Sequence, residues 1–147
     1  MIYVYLAMSA RPVPHAAAAW YAIFADEVYP DMFGSNINTT GPKELLRASN
    51  EILKTTTGDI TIICKADYLW QTLSPDKLGT WIDDGFLSVP AKNREEIIEL
   101  AKTIQTYEGS VTFRRPEDKE EKKILDKVCD LAAEKLKSLL ATLPSVV

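Results

Sequence analysis

The sequence predicts an α/β domain built on a five-stranded mixed sheet that is flanked by helices. The first observation is the order of the predicted segments, three strands, helix, strand, helices, strand, helix, in which helical connections join the later strands. The second is the run at 59–64, which is almost continuously apolar, as in a central strand buried on both faces. With 147 residues, no repeats and no linker, the chain is expected to form one domain over 1–147.

The first three strands are predicted to form an antiparallel meander. Residues 2–8 are apolar and rich in β-formers, and two prolines make residues 9–14 a loop. Residues 16–25 are ambiguous, because their alanines favour a helix whereas the run from Trp20 to Phe24 favours a strand; we assign a strand. A third strand is expected around residues 28–38.

Proline positions and apolar spacing define the helices. Gly41-Pro42 precedes the first helix, since proline is tolerated in a first turn. Residues 67–86 are expected to form short helical pieces, interrupted at Ser74-Pro75 and closed by Gly85. The remaining predicted elements are helices at 43–54, 93–107 and 118–140, and a short strand at 111–113.

Composition is ordinary for a soluble globular protein, with 46% hydrophobic and 26% charged residues. No uncharged apolar stretch approaches the roughly 18 residues of a membrane helix, and the start has no secretory signal pattern. Cys64 and Cys129 each sit beside apolar residues, which predicts buried free thiols in a reducing cytosol and a cytoplasmic location. The net charge of −4 argues against a surface that grips phosphate throughout.

Five short segments, taken in order, resemble a type I ribonuclease H over nearly the whole chain. The first segment, 38–45, carries Asn-Thr-Thr at 38–40 and Lys-Glu-Leu at 43–45 and is similar to the family's Thr-Thr-Asn-Asn-Arg-Met-Glu-Leu stretch. Segment 62–69 is similar to its strand ending Thr-Asp-Ser-x-Tyr-Val. The other three similar segments are 80–82 (Thr-Trp-Ile), 91–93 (Ala-Lys-Asn) and 129–132 (Cys-Asp-Leu-Ala). The resemblance implies a ribonuclease H-like fold.

The resemblance also implies where a catalytic site would lie. The family cuts the RNA strand of RNA–DNA hybrids with two divalent metals held by four carboxylates, since oxygen ligands suit magnesium. The corresponding residues here are Ala7, Glu44, Lys65 and Asp130. The methyl group of Ala7 cannot coordinate a metal. The ammonium of Lys65 would repel a cation about 4 Å away by about 4 kcal/mol per pair of unit charges, at an effective dielectric near 20. The chain therefore resembles a degenerate member that lacks two of the four carboxylates, and we expect no metal and no cofactor.

Lys65 leaves two hypotheses open. It replaces the metals as counter-charge in an ion-pair cluster with Glu44 and Asp130, or it extends into solvent while the acids are hydrated. We predict the cluster. Asp67 is expected to cap a helix rather than to act as a displaced metal ligand. His15 is the only histidine and is not expected to be catalytic.

Several residues are candidates for a binding surface, although core packing is expected to account for at least one of the aromatic residues. From residue 111 onward, eight basic residues are offset by seven acidic ones at helical spacings, as in Asp118 and Lys122. This pattern predicts a nearly neutral, solvated helix and a poor phosphate track. The binding candidates are Thr39, Thr40, Tyr68, Trp70, Trp81, Arg114 and Arg115.

Three functions follow from these observations. The first is a catalytically inactive binding or regulatory module that acts through a protein partner, and we favour it. The second is a module that binds an RNA–DNA hybrid or a duplex without cutting it. The third is a residual ribonuclease that holds Mg²⁺ or Mn²⁺ with Glu44, Asp130 and Asp67. A small domain of this kind suits a virus or a mobile element.

Overall fold

The computed structural model describes residues 1–11, 16–26 and 28–142, and within them five strands form one mixed sheet. The strand order is β3-β2-β1-β4-β5; the first three strands pair antiparallel, and β4 is parallel to both neighbours. This is the predicted fold class. The elements in chain order are β1 (Ile2–Arg11), β2 (Ala17–Phe24), β3 (Met32–Ile37), α1 (Gly41–Thr55), β4 (Ile60–Ile63), α2 (Tyr68–Thr72), α3 (Pro75–Asp83), α4 (Arg94–Thr106), β5 (Val111–Arg114) and α5 (Lys119–Thr142).

Helices cover both faces of the sheet. Val4 and Leu6 of β1 belong to the apolar core that α1 and α4 complete. Tyr5 and Ala7 belong to a second apolar cluster, which is formed with α5. Successive strand residues point to opposite faces, so these two clusters lie on opposite sides of the sheet. All four residues of β4 are buried, which confirms the central position predicted for this strand.

The segment before β3 forms a turn, so β3 begins at Met32, later than predicted. The Val28 N–H donates to the Asp26 carboxylate at 3.0 Å, and the Tyr29 N–H donates to the Asp26 carbonyl at 3.4 Å. The Tyr29 and Phe24 rings stack with their centroids 5.0 Å apart. Aspartate favours such a turn because its side chain bonds the backbone two residues on.

The ends of the first hairpin differ in part from the prediction. β2 is a strand, as we assigned it, despite its alanines. β1 continues to Arg11 by pairing with Ala17, so residues 9–11 of the expected loop are strand. The rest of that loop, including His15, lies outside the described residues.

Side-chain caps explain where two of the helices begin. The Thr40 hydroxyl accepts the Lys43 N–H at 3.3 Å and caps α1, two residues earlier than predicted. The Ser74 hydroxyl caps α3 in the same way, which confirms the break between two short helices. Asp67 directly precedes α2 as expected, but its carboxylate accepts from the Gln71 amide at 3.0 Å and not from a backbone N–H. Its predicted side-chain cap is therefore wrong.

α5 is the longest helix of the described residues, with 24 residues, or about 36 Å at 1.5 Å per residue. Leu125 and Val128 pack beside β1, and Leu136 packs on Ala17 and Ala19 of β2. The small alanine side chains leave room for the helix close to the sheet. In the described part of the chain, neither α5 nor another helix combines the length and apolarity needed to cross a bilayer.

Candidate functional site

The positions that the resemblance assigns to metal ligands do not converge on one group of carboxylates. Ala7 and Lys65 do come together, because β1 and β4 are parallel neighbours, and they line a pocket of about 110 Å³. In the described ranges, no three His, Cys, Asp or Glu side chains are grouped so that they could hold a metal ion. The other residues lining this pocket are apolar or carry thiols: Leu6, Met8, Cys64, Ala66, Leu125 and Cys129.

Lys65 makes its ion pair with Asp126 of α5. The predicted cluster with Glu44 and Asp130 is therefore wrong in its partners, because Asp126 lies one helical turn before Asp130. The hydrogen bond that Lys65 donates to the Asp126 carboxylate raises the pKa of the Lys65 ammonium, which stays charged at neutral pH. The side chain of Lys65 is 46% exposed, so the pair adds little to stability.

Glu44 is fully buried and bonded on the α1 side of the sheet. The Asn36 amide of β3 donates to both carboxylate oxygens, at 3.1 and 2.9 Å, and the Thr39 hydroxyl donates to one of them at 2.9 Å. Nη1 of Arg47 lies 2.6 Å from the same oxygen as the threonine. We call these four residues the Glu44 cluster. A buried carboxylate is stable only when it is paired in this way, and the cluster ties β3 to α1.

Helix geometry explains why Arg47 reaches Glu44. The two residues are three apart, which puts them on neighbouring positions of one helix face. The other terminal nitrogen of Arg47 lies 3.5 Å from the Glu96 carboxylate of α4, and Lys43 lies 3.9 Å from the same oxygen. The Glu44 cluster is thereby continuous with ion pairs that join α1 to α4.

Most of the candidate binding residues have structural roles. Thr40 caps α1, and Thr39 belongs to the Glu44 cluster. Trp81 is 5% exposed and packs in the core, so its proposed place on a binding surface is wrong. Trp70 packs partly buried against the same core. Tyr68 is also partly buried, and its hydroxyl accepts a hydrogen bond from the asparagine that precedes α4.

A larger crevice of about 720 Å³ opens where β4 and β5 end. Ligands of open α/β sheets bind beyond the carboxyl ends of the strands, which makes this place a candidate site. The sequence analysis named Lys65 and Arg115. It missed Lys122 and Asp126 of α5, because which residues of a helix face the crevice depends on how the helix is rotated. We call this the strand-end crevice, and it is lined by Lys65, Arg115, Pro116, Glu117, Lys122 and Asp126.

Arg114 holds the edge of the strand-end crevice in place. Its two terminal nitrogens each lie 2.9 Å from one oxygen of Glu121, and the Glu117 N–H donates to Glu121 at 2.8 Å. The paired hydrogen bonds raise the pKa of Arg114 and lower the pKa of Glu121. This bidentate pair fixes the turn between β5 and α5, and the neighbouring Arg115 side chain points out, exposed.

Lys122 does not pair with Asp118, although the spacing suggested that these opposite charges are neighbours. The Asp118 carboxylate instead accepts the Glu121 N–H at 2.9 Å. Among the described residues, neither Lys122 nor Arg115 has an acidic partner within 4.0 Å. The strand-end crevice therefore holds two cations that are not committed to ion pairs.

The two cysteines are free thiols, with Cys64 buried and Cys129 half-buried. Burial raises the pKa of the Cys64 thiol to about 11 from its ordinary 9.0. Because its pKa is higher in the folded than in the unfolded state, the protonated thiol favours folding. This contribution to stability is complete below pH 9 and is lost as pH rises towards 11. We expect the free energy of unfolding to fall by about 2–3 kcal/mol across this range.

Urea unfolding at pH 8 and at pH 10.5 measures most of this loss, about 2 kcal/mol, with Cys64→Ala as the control. Tyrosines also titrate in this pH range, but they are present in both proteins. The difference between the two proteins in the pH dependence of unfolding free energy therefore reports the Cys64 thiol alone. If the wild type and Cys64→Ala lose the same stability between the two pH values, the assignment to Cys64 is wrong.

Comparison with known proteins gives the fold. No family model and no curated protein matches the chain by sequence. LC9-RNase H1, a type 1 RNase H with the type 2 active-site motif, matches with a TM-score of 0.69 and 15% identity, over 93% of this chain and 72% of that one. The foamy viral protease-reverse transcriptase in complex with dsDNA matches with a TM-score of 0.75 and 12% identity, over 93% of each chain. The same enzyme in complex with RNA/DNA hybrid matches with a TM-score of 0.68 and 13% identity, over 90% of this chain and 19% of that one. The chain therefore has a ribonuclease H-like fold.

Proposed function

We propose that this chain is a binding module with a ribonuclease H-like fold and that it does not hydrolyse phosphodiesters. The Glu44 cluster is the observation that carries this proposal. A metal ligand must turn free oxygen lone pairs towards the cation, whereas both oxygens of Glu44 accept hydrogen bonds from the protein. Ala7 and Lys65 supply no oxygen at the two neighbouring positions, so two-metal hydrolysis lacks most of its ligands.

A hydrolysis assay tests the absence of activity. A labelled RNA–DNA hybrid is incubated with the wild type and with Glu44→Gln, first in Mg²⁺ and then in Mn²⁺. We expect both proteins to give the same background, because neither assembles a metal site. Metal-dependent turnover that disappears in Glu44→Gln would favour the residual ribonuclease with Glu44, Asp130 and Asp67 and would refute the proposal.

We propose a protein as the partner, and the edge of β3 supports this choice. In the described sheet β3 pairs with β2 on one side only, and Phe33 and Ile37 are 55% and 47% exposed. An edge strand presents unpaired backbone groups, to which a peptide can add as a further strand. Affinity capture from cells that make this protein, with Phe33→Lys as the control, tests the surface. Capture that is equal in both would exclude it.

Non-cleaving binding of nucleic acid is a second candidate. Lys65, Arg115 and Lys122 in the strand-end crevice favour it, and two structures of similar fold were solved with dsDNA and with RNA/DNA hybrid. Contacts to phosphates make affinity fall with salt, by about 0.9 log units per log unit of salt for each phosphate on duplex DNA. Affinity measured for a hybrid and a duplex between 50 and 200 mM salt tests this candidate. A slope near zero would exclude it.

A further inference from the structure

We propose that the strand-end crevice binds a phosphate group directly on cationic side chains, without a divalent metal. The inference rests on the proposed absence of metal-dependent hydrolysis, and it names the chemistry that this end of the sheet would bind instead. Three cations line the crevice beside two carboxylates, which leaves one net positive charge in a chain of net charge −4.

The two carboxylates of the crevice are already partnered. Asp126 pairs with Lys65, and the Glu117 carboxylate lies 3.7 Å from Nε of Arg114. Arg115 and Lys122 keep their donors, since no acid of the described residues lies within 4.0 Å of either. An anion that enters the crevice therefore meets two cations without displacing an existing pair.

The backbone that carries these two cations is fixed before any ligand arrives. Nη1 of Arg114 donates to the Arg115 carbonyl at 3.0 Å, while Glu121 holds the same guanidinium. The Lys122 N–H donates to the Asp118 carbonyl at 3.1 Å in the first turn of α5. Binding would order the two side chains alone, which keeps its entropic cost small.

The two cations suit phosphate in different ways. A guanidinium presents a planar pair of donors that matches two phosphate oxygens, whereas an ammonium acts as a compact charge. The crevice of about 720 Å³ is far larger than one phosphate ion and lies within the range of ligand pockets. A free phosphate, a terminal phosphate monoester and an internal phosphodiester share this chemistry, and their charges differ. A monoester approaches −2 above its second pKa, near 6, whereas a diester carries −1.

A titration of the whole chain in EDTA distinguishes these sources. Amide NMR shifts are followed at pH 7.5 and low salt with three ligands: inorganic phosphate, a 5′-phosphorylated thymidine trinucleotide and the same trinucleotide without that phosphate. We expect amide shifts confined to Lys65, Arg115, residues 117–118 and Lys122, since Pro116 has no amide proton. We also expect at least about threefold tighter binding of the phosphorylated trinucleotide, because its terminal group carries more charge. Equal binding of the two trinucleotides would point to internal phosphodiesters and would retain the cationic site.

Three variants assign the binding to the crevice. Arg115→Gln with Lys122→Gln should weaken phosphate binding at least about tenfold, because both uncommitted cations are lost. Lys92→Gln with Lys137→Gln changes the charge equally and should have less than about a twofold effect, since Lys137 lies about 22 Å along α5 from Lys122. Asp126→Asn should tighten binding about threefold, because it removes an acid and releases Lys65. Loss of fold cannot imitate this gain.

Three results would overturn the inference. They are the absence of shifts in the crevice, equal weakening by the two double variants, and binding that requires added Mg²⁺. The outcome is separate from that of the hydrolysis assay. Turnover in Mg²⁺ would refute the proposed function even if phosphate binds in EDTA. If the protein shows neither turnover nor phosphate binding, only the proposed phosphate site is refuted.

Discussion

Replacement of Glu44 by alanine is expected to lower the free energy of unfolding by about 3–5 kcal/mol. The side chain is fully buried, so its removal leaves a cavity. It also leaves the Asn36 amide, the Thr39 hydroxyl and part of the Arg47 guanidinium without their acceptor. The link between β3 and α1 would be lost at the same time. Urea unfolding of the wild type and of Glu44→Ala measures the difference.

Glu44→Gln is the matched control for this prediction. Its amide oxygen still accepts hydrogen bonds in the same volume, so we expect a loss of only about 1–2 kcal/mol, because Arg47 then faces a neutral acceptor instead of a carboxylate. A carboxylate kept free for metal would behave in the opposite way, because its removal relieves repulsion in the empty site. A stability that is unchanged or raised in Glu44→Ala would therefore show that the cluster is not structural.

Gly109→Ala is expected to destabilise the protein by about 2–5 kcal/mol. A Cβ atom at this position would lie 2.4 Å from the backbone carbon of Gly58, and the φ angle of Gly109 is +137°. The added methyl would collide with backbone, which cannot rotate away, and an L-residue is strained at this φ. Thermal or urea unfolding measures the loss.

The turns before β4 and β5 pack against each other at Gly109. The Gly58 N–H donates to the Glu108 carbonyl at 2.7 Å, and the Ser110 N–H donates to Asp59 at 2.9 Å. Gly79→Ala is the control, because this glycine lies in α3 with nothing within 4 Å of its missing Cβ. We expect that variant to gain about 0.5–1 kcal/mol. Equal stability of Gly109→Ala and the wild type would contradict the close packing of the two turns.

The fold was predictable because its signals are local. The apolar run of β4 and the prolines at Pro42 and Pro75 mark a buried strand and two helix starts, and each signal is read within a few residues. The start of β3 was missed, although Pro30 and Asp31 stand directly before Met32 and proline is a local signal against a strand. The side-chain bond of Asp26 and the stacking of Tyr29 on Phe24 accompany the turn that replaces the expected strand residues.

The partners in the site were not predictable in the same way. The absence of carboxylates at Ala7 and Lys65 is visible in the sequence, and the structure places these two residues together. The partner of Lys65 depends on which turn of α5 faces the end of β4, and the motif that includes Asp130 pointed one turn too far. The environment of Glu44 depends on the register of β3, which brings Asn36 over α1. Both are long-range properties of the packed chain.

The Glu44 cluster also limits how this scaffold can be redesigned as a nuclease. Acidic residues introduced at positions 7 and 65 would still lack the helix carboxylate, because Asn36, Thr39 and Arg47 hold it in the Glu44 cluster. To release it, a designer would first have to remove the hydrogen bonds that tie β3 to α1 and then replace them with another link. Variants that free this carboxylate would therefore lose stability before they could bind a metal ion.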